Sequence, residues 1–225
     1  AIIVLYTLFF APSPEEIKQS KIKQEQVQKD SDTPSVDQNE NFVKINRSEA
    51  LAENNRIEFE NNDVVGSISL KGAIIDDLTF KKYNVVLNGK EKVVLLSPRK
   101  VQNGYFVESG FVTTNKNIEI PNSSTLWEIS GNKKLTKDNP IKLTWKNPQG
   151  ITFEKKISLD DQFLFTVKEK VINSTDKTYS FYSYAQIIRN KKPEISGFYI
   201  LHEGPIATLN DELIEEDYDD IQEEK

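Results

Sequence analysis

A chain of 225 residues with 35 acidic and 29 basic side chains carries a net charge of −6. A nucleic-acid groove needs clustered Lys and Arg to neutralise phosphates, and here the basic pairs Lys81-Lys82, Lys133-Lys134, Lys155-Lys156 and Lys191-Lys192 are scattered and read as solvated strand edges or loops. With no cysteine there is no disulfide to support the fold or to report a redox compartment, and with no Met the chain is expected to begin downstream of its natural start.

Residues 1–11 form an apolar run with no charge before Glu15. A full membrane span takes about 20 apolar residues, so the run reads as the end of a membrane helix, with the tail of a signal peptide and a strand of a soluble core as competing readings. Signal cleavage wants small residues at its recognition positions, and Phe9 two places before Ala11, with Pro12 directly after it, argues against it. From residue 12 to 55 Lys, Gln, Glu, Asp, Asn and Ser dominate, too polar to offset chain entropy by burial. This stretch is expected to be a flexible tether, with a frayed helix over residues 14–29 as the alternative.

From Arg56 onward the pattern is one of strands. Ile57 and Phe59, Ile68 and Leu70, and Leu78 and Phe80 mark short strands punctuated by Asn61-Asn62-Asp63 and Gly72. Leu143, Thr144 and Trp145 lead into the turn Pro148-Gln149-Gly150, after which Ile151, Phe153, Lys155, Ile157 and Leu159 alternate as one buried face. Phe163, Phe165 and Val167 resume the period up to the turn at Asn173-Ser174-Thr175-Asp176, and Tyr179, Phe181 and Tyr184 begin another strand. No amphipathic helix interrupts residues 56–210, which excludes a parallel βαβ sheet and predicts an all-β antiparallel sandwich with one core. There is no internal repeat.

A resemblance adds to this reading. The segment Gly66-Ser67-Ile68-Ser69-Leu70-Lys71-Gly72-Ala73-Ile74-Ile75-Asp76-Asp77-Leu78-Thr79-Phe80-Lys81-Lys82-Tyr83 resembles the opening strands of the periplasmic domain of the YidC (Oxa1/YidC/Alb3) family of bacterial membrane protein insertases. Leu95-Leu96-Ser97-Pro98, Tyr105-Phe106-Val107-Glu108-Ser109-Gly110, Leu143-Thr144-Trp145, Gln149-Gly150-Ile151-Thr152-Phe153 and Leu201-His202-Glu203-Gly204-Pro205-Ile206 follow in the family's order. The resemblance implies an extended, galactose-mutarotase-like β-supersandwich over residues 56–225, incomplete at its C-terminal end. It also implies a linker at 12–55 and the end of the first transmembrane helix at 1–11. It further implies a non-enzymatic, inner-membrane insertase and chaperone whose periplasmic part aids insertion, folding and assembly, alone or with the Sec translocon. Its expected partners are the translocon and accessory subunits, nascent membrane proteins and, through the N-terminal helix, the inner membrane. No cofactor is implied.

The residues that invite chemistry read as structure. Asp76-Asp77 lacks a third ligand at suitable spacing and reads as a turn or strand-edge feature. Gly66 and Gly72 mark close backbone approach, and Trp127 and Trp145 read as core. His202, the only histidine, sits beside Glu203 before Gly204-Pro205; a mutarotase needs a separate acid and base, a hydrolase needs a Gly-x-Ser-x-Gly elbow, and neither set is present, so a turn is expected. The sequons at Asn46, Asn122 and Asn173 read as incidental in a bacterial envelope protein. In residues 210–221, Ile214, Tyr218 and Ile221 share a helical face, while the family comparison favours strand. No residue is assigned a catalytic, cofactor or metal role, and no partner-binding residue is identified. Two functions compete: a docking module, which predicts an exposed apolar or aromatic patch, and a carbohydrate-binding or mutarotase-like protein, which needs a polar cleft around His202 and Glu203.

Overall fold

The computed structural model describes residues 44–193 and 202–223, and the apolar run at 1–11 and most of the expected tether lie outside the described residues. Among the described residues no helix is long and apolar enough to cross a membrane.

Thirteen strands form two facing sheets and a hairpin among the described residues. The first sheet contains β1 (Arg56–Glu60), β2 (Val64–Ser69), β3 (Ile74–Asn84), β4 (Lys92–Leu96), β5 (Tyr105–Val112), β7 (Lys134–Leu135) and β11 (Tyr182–Arg189) in the order β11-β5-β3-β2-β1-β7, with β4 on β3. The second contains β6 (Glu128–Ser130), β8 (Ile141–Lys146), β9 (Ile151–Leu159) and β10 (Phe165–Asn173) in the order β10-β9-β8-β6. β12 (Ile206–Leu209) and β13 (Glu212–Glu215) pair with each other, and α2 (Tyr218–Glu223) follows. The acidic end is therefore strand up to Glu215 and helix from Tyr218, which divides the two sequence readings between them. The pairing is antiparallel except for β1 with β7, which are parallel through Glu58 and Phe59 opposite Lys134 and Leu135.

Alternation builds the core. Along β9, Ile151, Phe153, Lys155, Ile157 and Leu159 all turn inward and are buried. They meet Ile57, Phe59, Val64 and Ile68 from the first sheet, and the Phe59 ring packs edge-on against Phe165 with centroids 5.0 Å apart. Phe153 is the hub of a second aromatic group, with Phe111 at 5.2 Å, Phe181 at 5.5 Å and Trp145 at 5.7 Å. Trp127 is buried and Trp145 half-buried against the same core, as the sequence predicts.

The ordered unit begins earlier than Arg56. A short helix, α1 (Arg47–Ala52), lies inside the stretch expected to be a tether. Asn46 caps it by accepting a hydrogen bond from the Glu49 amide, so this sequon residue serves the backbone. Ala50 is buried, the Arg47 guanidinium pairs with Asp77 on β3, and Lys100 pairs with Glu53 at 2.8 Å. Six residues with one buried side chain give no periodic signal, and the helix is held by charged partners on β3 and in the β4–β5 connection. The other sequons also close turns: Asn122 accepts from Ser124, and Asn173 accepts from the amide and hydroxyl of Thr175.

A bulge explains Asp76-Asp77. The register of β2 against β3 shifts between Ser67 and Ile68, so Asp76 has no opposite residue. Asp76 is buried against the Arg56 guanidinium, while Asp77 accepts from Arg47 and Ser67. Burial pushes the Asp76 carboxyl up from the usual aspartate range; Arg56 opposes this, Asp77 adds to it, and burial wins. A raised folded pKa means that the native state holds the proton more tightly than the unfolded one. Asp76 therefore contributes stability that is full below the unfolded pKa and is lost as pH rises through the folded value. Urea unfolding of wild type and Asp76→Asn across the acid range is expected to show the difference moving against the wild type as pH rises. A difference independent of pH would place Asp76 in a solvated setting.

Candidate functional site

Among the described residues, two strands end their sheets on the same side of the sandwich. Among the described residues β10 pairs only with β9, and β11 only with β5. Between these edges lies a groove of about 710 Å³. Val167, Glu169 and Val171, at spacing two on β10, form one wall. Ser183, Tyr184 and Ala185 of β11 form the other, and Phe111, Tyr179 and Phe181 close the base. Phe181 stands edge-on to the buried Phe153, so the aromatic base is continuous with the core.

The polar part of this floor is built on Lys155. Its side chain is 1 % exposed. The ammonium donates to the Ser109 carbonyl and to Ser109 Oγ at 3.1 Å, and lies 3.3 Å from Glu169 Oε1. Ser109 Oγ in turn donates to Glu169 Oε1 at 2.8 Å, and the Lys155 Nζ stands 5.4 Å from the centre of the Trp127 ring. Burial pushes the Lys155 pKa down, and the carboxylates of Glu169 and Glu108 oppose it. Burial, then Glu108 and Glu169, push the Tyr184 hydroxyl up.

This arrangement looks like a serine paired with a lysine base, but its hydrogen bonds assign it otherwise. Nζ donates to two oxygens of Ser109 and has the Glu169 carboxylate 3.3 Å away as its ion-pair partner, and an ammonium so held has no lone pair to take a proton from Ser109. The Ser109 hydroxyl proton points to Glu169, not to the lysine. The cluster is thus a polar clamp that ties β9 and β10 of one sheet to β5 of the other beneath the groove. Lys155 belongs to a pair read from the sequence as solvated, and the structure corrects that reading: the period-2 pattern places it on the buried face, and three polar partners make that burial tolerable.

His202 and Glu203 lie outside this groove. His202 Nδ1 is 3.2 Å from Asp217 Oδ1, and that carboxylate also accepts from the Glu203 amide. The Glu203 carbonyl accepts from the Tyr218 amide, and Lys192 approaches Glu203 at 3.6 Å and Asp219 at 2.7 Å. Both residues therefore fasten the β12–β13 hairpin to α2, as expected of a turn. The groove itself was not named by the sequence reading; its signals were Val167 and Tyr184, but an open edge is a fact about pairing and not about one strand.

The YidC periplasmic domain family matches residues 56–225. A membrane protein insertase YidC from Pelagibacter ubique (strain HTCC1062) is 68 % identical over 225 residues, all of this chain and 40 % of the relative. One from Brucella suis biovar 1 is 38 % identical over 174 residues, 76 % of this chain and 28 % of the relative. One from Beijerinckia indica is 34 % identical over 242 residues, covering 100 % of this chain and 40 % of the relative. The chain thus spans 40 % or less of the length of these relatives.

Proposed function

Since the chain belongs to the YidC periplasmic domain family, we propose that it is the envelope-facing docking module of a bacterial membrane protein insertase, and that the groove between β10 and β11 receives an extended polypeptide. The observation that carries this is the pair of strands, β10 and β11, that end their sheets among the described residues and flank an aromatic, apolar base. An extended segment laid along either edge gains main-chain hydrogen bonds, while alternate side chains fall onto Phe111, Tyr179 and Phe181. A hydrophobic segment on its way to the bilayer, or an exposed strand of a Sec translocon subunit, fits that description. No bond is made or broken, and no residue is given a catalytic role.

In this reading residues 1–11 end the first transmembrane helix in the inner membrane, and the tether between them and α1 lets the sandwich range over the periplasmic face. The sugar-binding alternative is not favoured, because the relatives are named as insertases and because His202 and Glu203 hold a turn and do not line the groove.

Photocrosslinking in the membrane of the full-length parent tests the proposal. Probes at Val167, Phe181 and Ser183 are expected to give adducts with the inserting chain or with translocon subunits, and a probe at Gln149, in the β8–β9 turn and not part of the groove lining, to give none. If insertion proceeds normally while all three groove probes stay unreacted, the groove is not a docking site.

A further inference from the structure

A second exposed surface lies away from the groove, at the turn between β3 and β4. Val85 donates to the Glu91 carbonyl at 2.9 Å and Gly89 to the Val86 carbonyl at 2.8 Å, with Asn88 at a φ of 61°. These bonds close a tight turn whose apex is apolar: Val86 is 67 % exposed and Leu87 90 %. Tyr83 and Val85 are exposed just behind them. The loop between β9 and β10 projects from the same end, because the Phe80 ring packs at 5.4 Å from Tyr83 and at 5.8 Å from Phe163. Phe163 and Leu164 of that loop are exposed as well.

Convexity and charge identify the occupant. An apolar groove takes a side chain, but a protruding apolar turn needs a partner that yields around it. Residues 81–92 carry four lysines and one glutamate, a local charge of +3 in a chain of net charge −6. Lys81 and Lys82 are engaged by Glu60 and Asp63, while Lys90 and Lys92 are exposed and carry no ion pair among the described residues. Aliphatic side chains at the apex, a tyrosine behind them and lysines at the collar form the sequence of layers that a membrane surface presents in reverse: acyl chains, interface, anionic headgroups. The relatives are named as membrane protein insertases. We propose that the β3–β4 turn is a lipid-binding tip that inserts Val86 and Leu87 into an anionic bilayer surface, with Lys90 and Lys92 on the headgroups.

Such a tip fixes one end of the sandwich to the membrane and so orients the groove relative to the bilayer. Insertion by about 5–10 Å is the depth of other interfacial apolar elements. The sandwich is not required to open, since the tip side chains are already exposed.

The absence of cysteine makes the test direct. The full chain carrying Val86→Cys, labelled with an environment-sensitive fluorophore, is mixed with vesicles of phosphatidylethanolamine holding about 30 % phosphatidylglycerol. The same label at Gln149→Cys reports the opposite end of β9, nine residues or about 30 Å away. The expected result is a blue shift and quenching by nitroxide-bearing lipid at Val86→Cys but not at Gln149→Cys. Lys90→Gln with Lys92→Gln is expected to weaken the response roughly 25-fold, at about fivefold for each lysine removed. Leu87→Asp is expected to abolish it, with the circular dichroism unchanged.

The proposal is overturned by an unshifted, unquenched label at Val86→Cys, by equal quenching at both positions, or by indifference to the loss of both lysines. A shift that appears without vesicles and grows with protein concentration would assign the tip to a second copy of the chain instead. Groove adducts in the parent are independent of each of these results, so failure of the tip and failure of the docking groove are read separately.

Discussion

Replacing Lys155 by alanine is expected to lower the unfolding free energy by about 3–5 kcal/mol, the range for breaking a buried ion pair by removing one partner. The deletion strands the Ser109 carbonyl and the Glu169 carboxylate and removes a four-carbon stem packed between Phe153 and Ile157 on the buried face of β9. Glu169→Gln is expected to cost less, because an amide still accepts from Ser109 and from the lysine. The decisive variant is Lys155→Met combined with Glu169→Gln, which keeps the volume and removes both charges; it is expected to recover most of the loss. Urea unfolding of wild type, Lys155→Met, Glu169→Gln and the double variant forms a double-mutant cycle that gives the coupling, and a cost below about 1 kcal/mol for Lys155→Ala would show that the clamp contributes nothing to the joining of the sheets. The pH dependence has a fixed sign. With the folded pKa depressed by burial, the unfolded state holds more protons between that value and the ordinary lysine range. Wild type should therefore gain on Lys155→Met as pH rises through that interval, and lose that gain as pH falls through the folded pKa.

The same lysine shows where sequence reasoning reaches its end. The alternation of Ile151, Phe153, Ile157 and Leu159 marks β9 and its buried face without a structure, and position 155 falls on that face by counting. The count and the charge gave two readings of Lys155, inward by alternation and solvated as one of a lysine pair; a lysine is almost never fully buried unless paired, and Ser109 and Glu169 come from strands whose proximity no local pattern reveals. The β8–β9 turn at Gly150 and the turn at Asn173 were legible because their side chains and backbone demand are local. The parallel contact of β1 with the two-residue β7 was not, because two residues carry no period. Val85, Val86 and Leu87 have strand chemistry yet make a turn, and only their exposure shows that they project from the fold.

Edges were hidden for a related reason. Whether a strand is central or marginal depends on its neighbours, so β10 and β11 read like any other alternating segment. Once paired, their difference is physical: β9 is bonded on both sides and its inward face is buried, whereas among the described residues β10 pairs on one side only, beside half-exposed Phe165 and Val171. The groove, its polar floor and its exposed walls thus have one origin, the two sheets ending without a strand to join them among the described residues.

Gly66→Ala is expected to cost about 3 kcal/mol or more, although the residue has an ordinary strand conformation and the change adds one carbon. Gly66 sits in β2 between Phe59 of β1 and Leu78 of β3. A Cβ there would stand 2.0 Å from the Asp77 carbonyl oxygen and 2.6 Å from the Phe59 ring. The carbonyl cannot swing aside, because the bulge beside it is held by Arg56 on Asp76 and by Arg47 and Ser67 on Asp77. The ring has no exposed surface and is packed against Phe165. The entropy that alanine removes from the unfolded chain returns only about 0.4–1 kcal/mol. Combining Gly66→Ala with Phe59→Leu separates the two clashes. Partial recovery in the double variant would assign the strain to the ring, and no recovery would assign it to the β3 backbone. A loss below about 1 kcal/mol for Gly66→Ala alone would mean that β2 and β3 slide at the bulge, and the anchoring of α1 through Arg47 would then be free to shift with them.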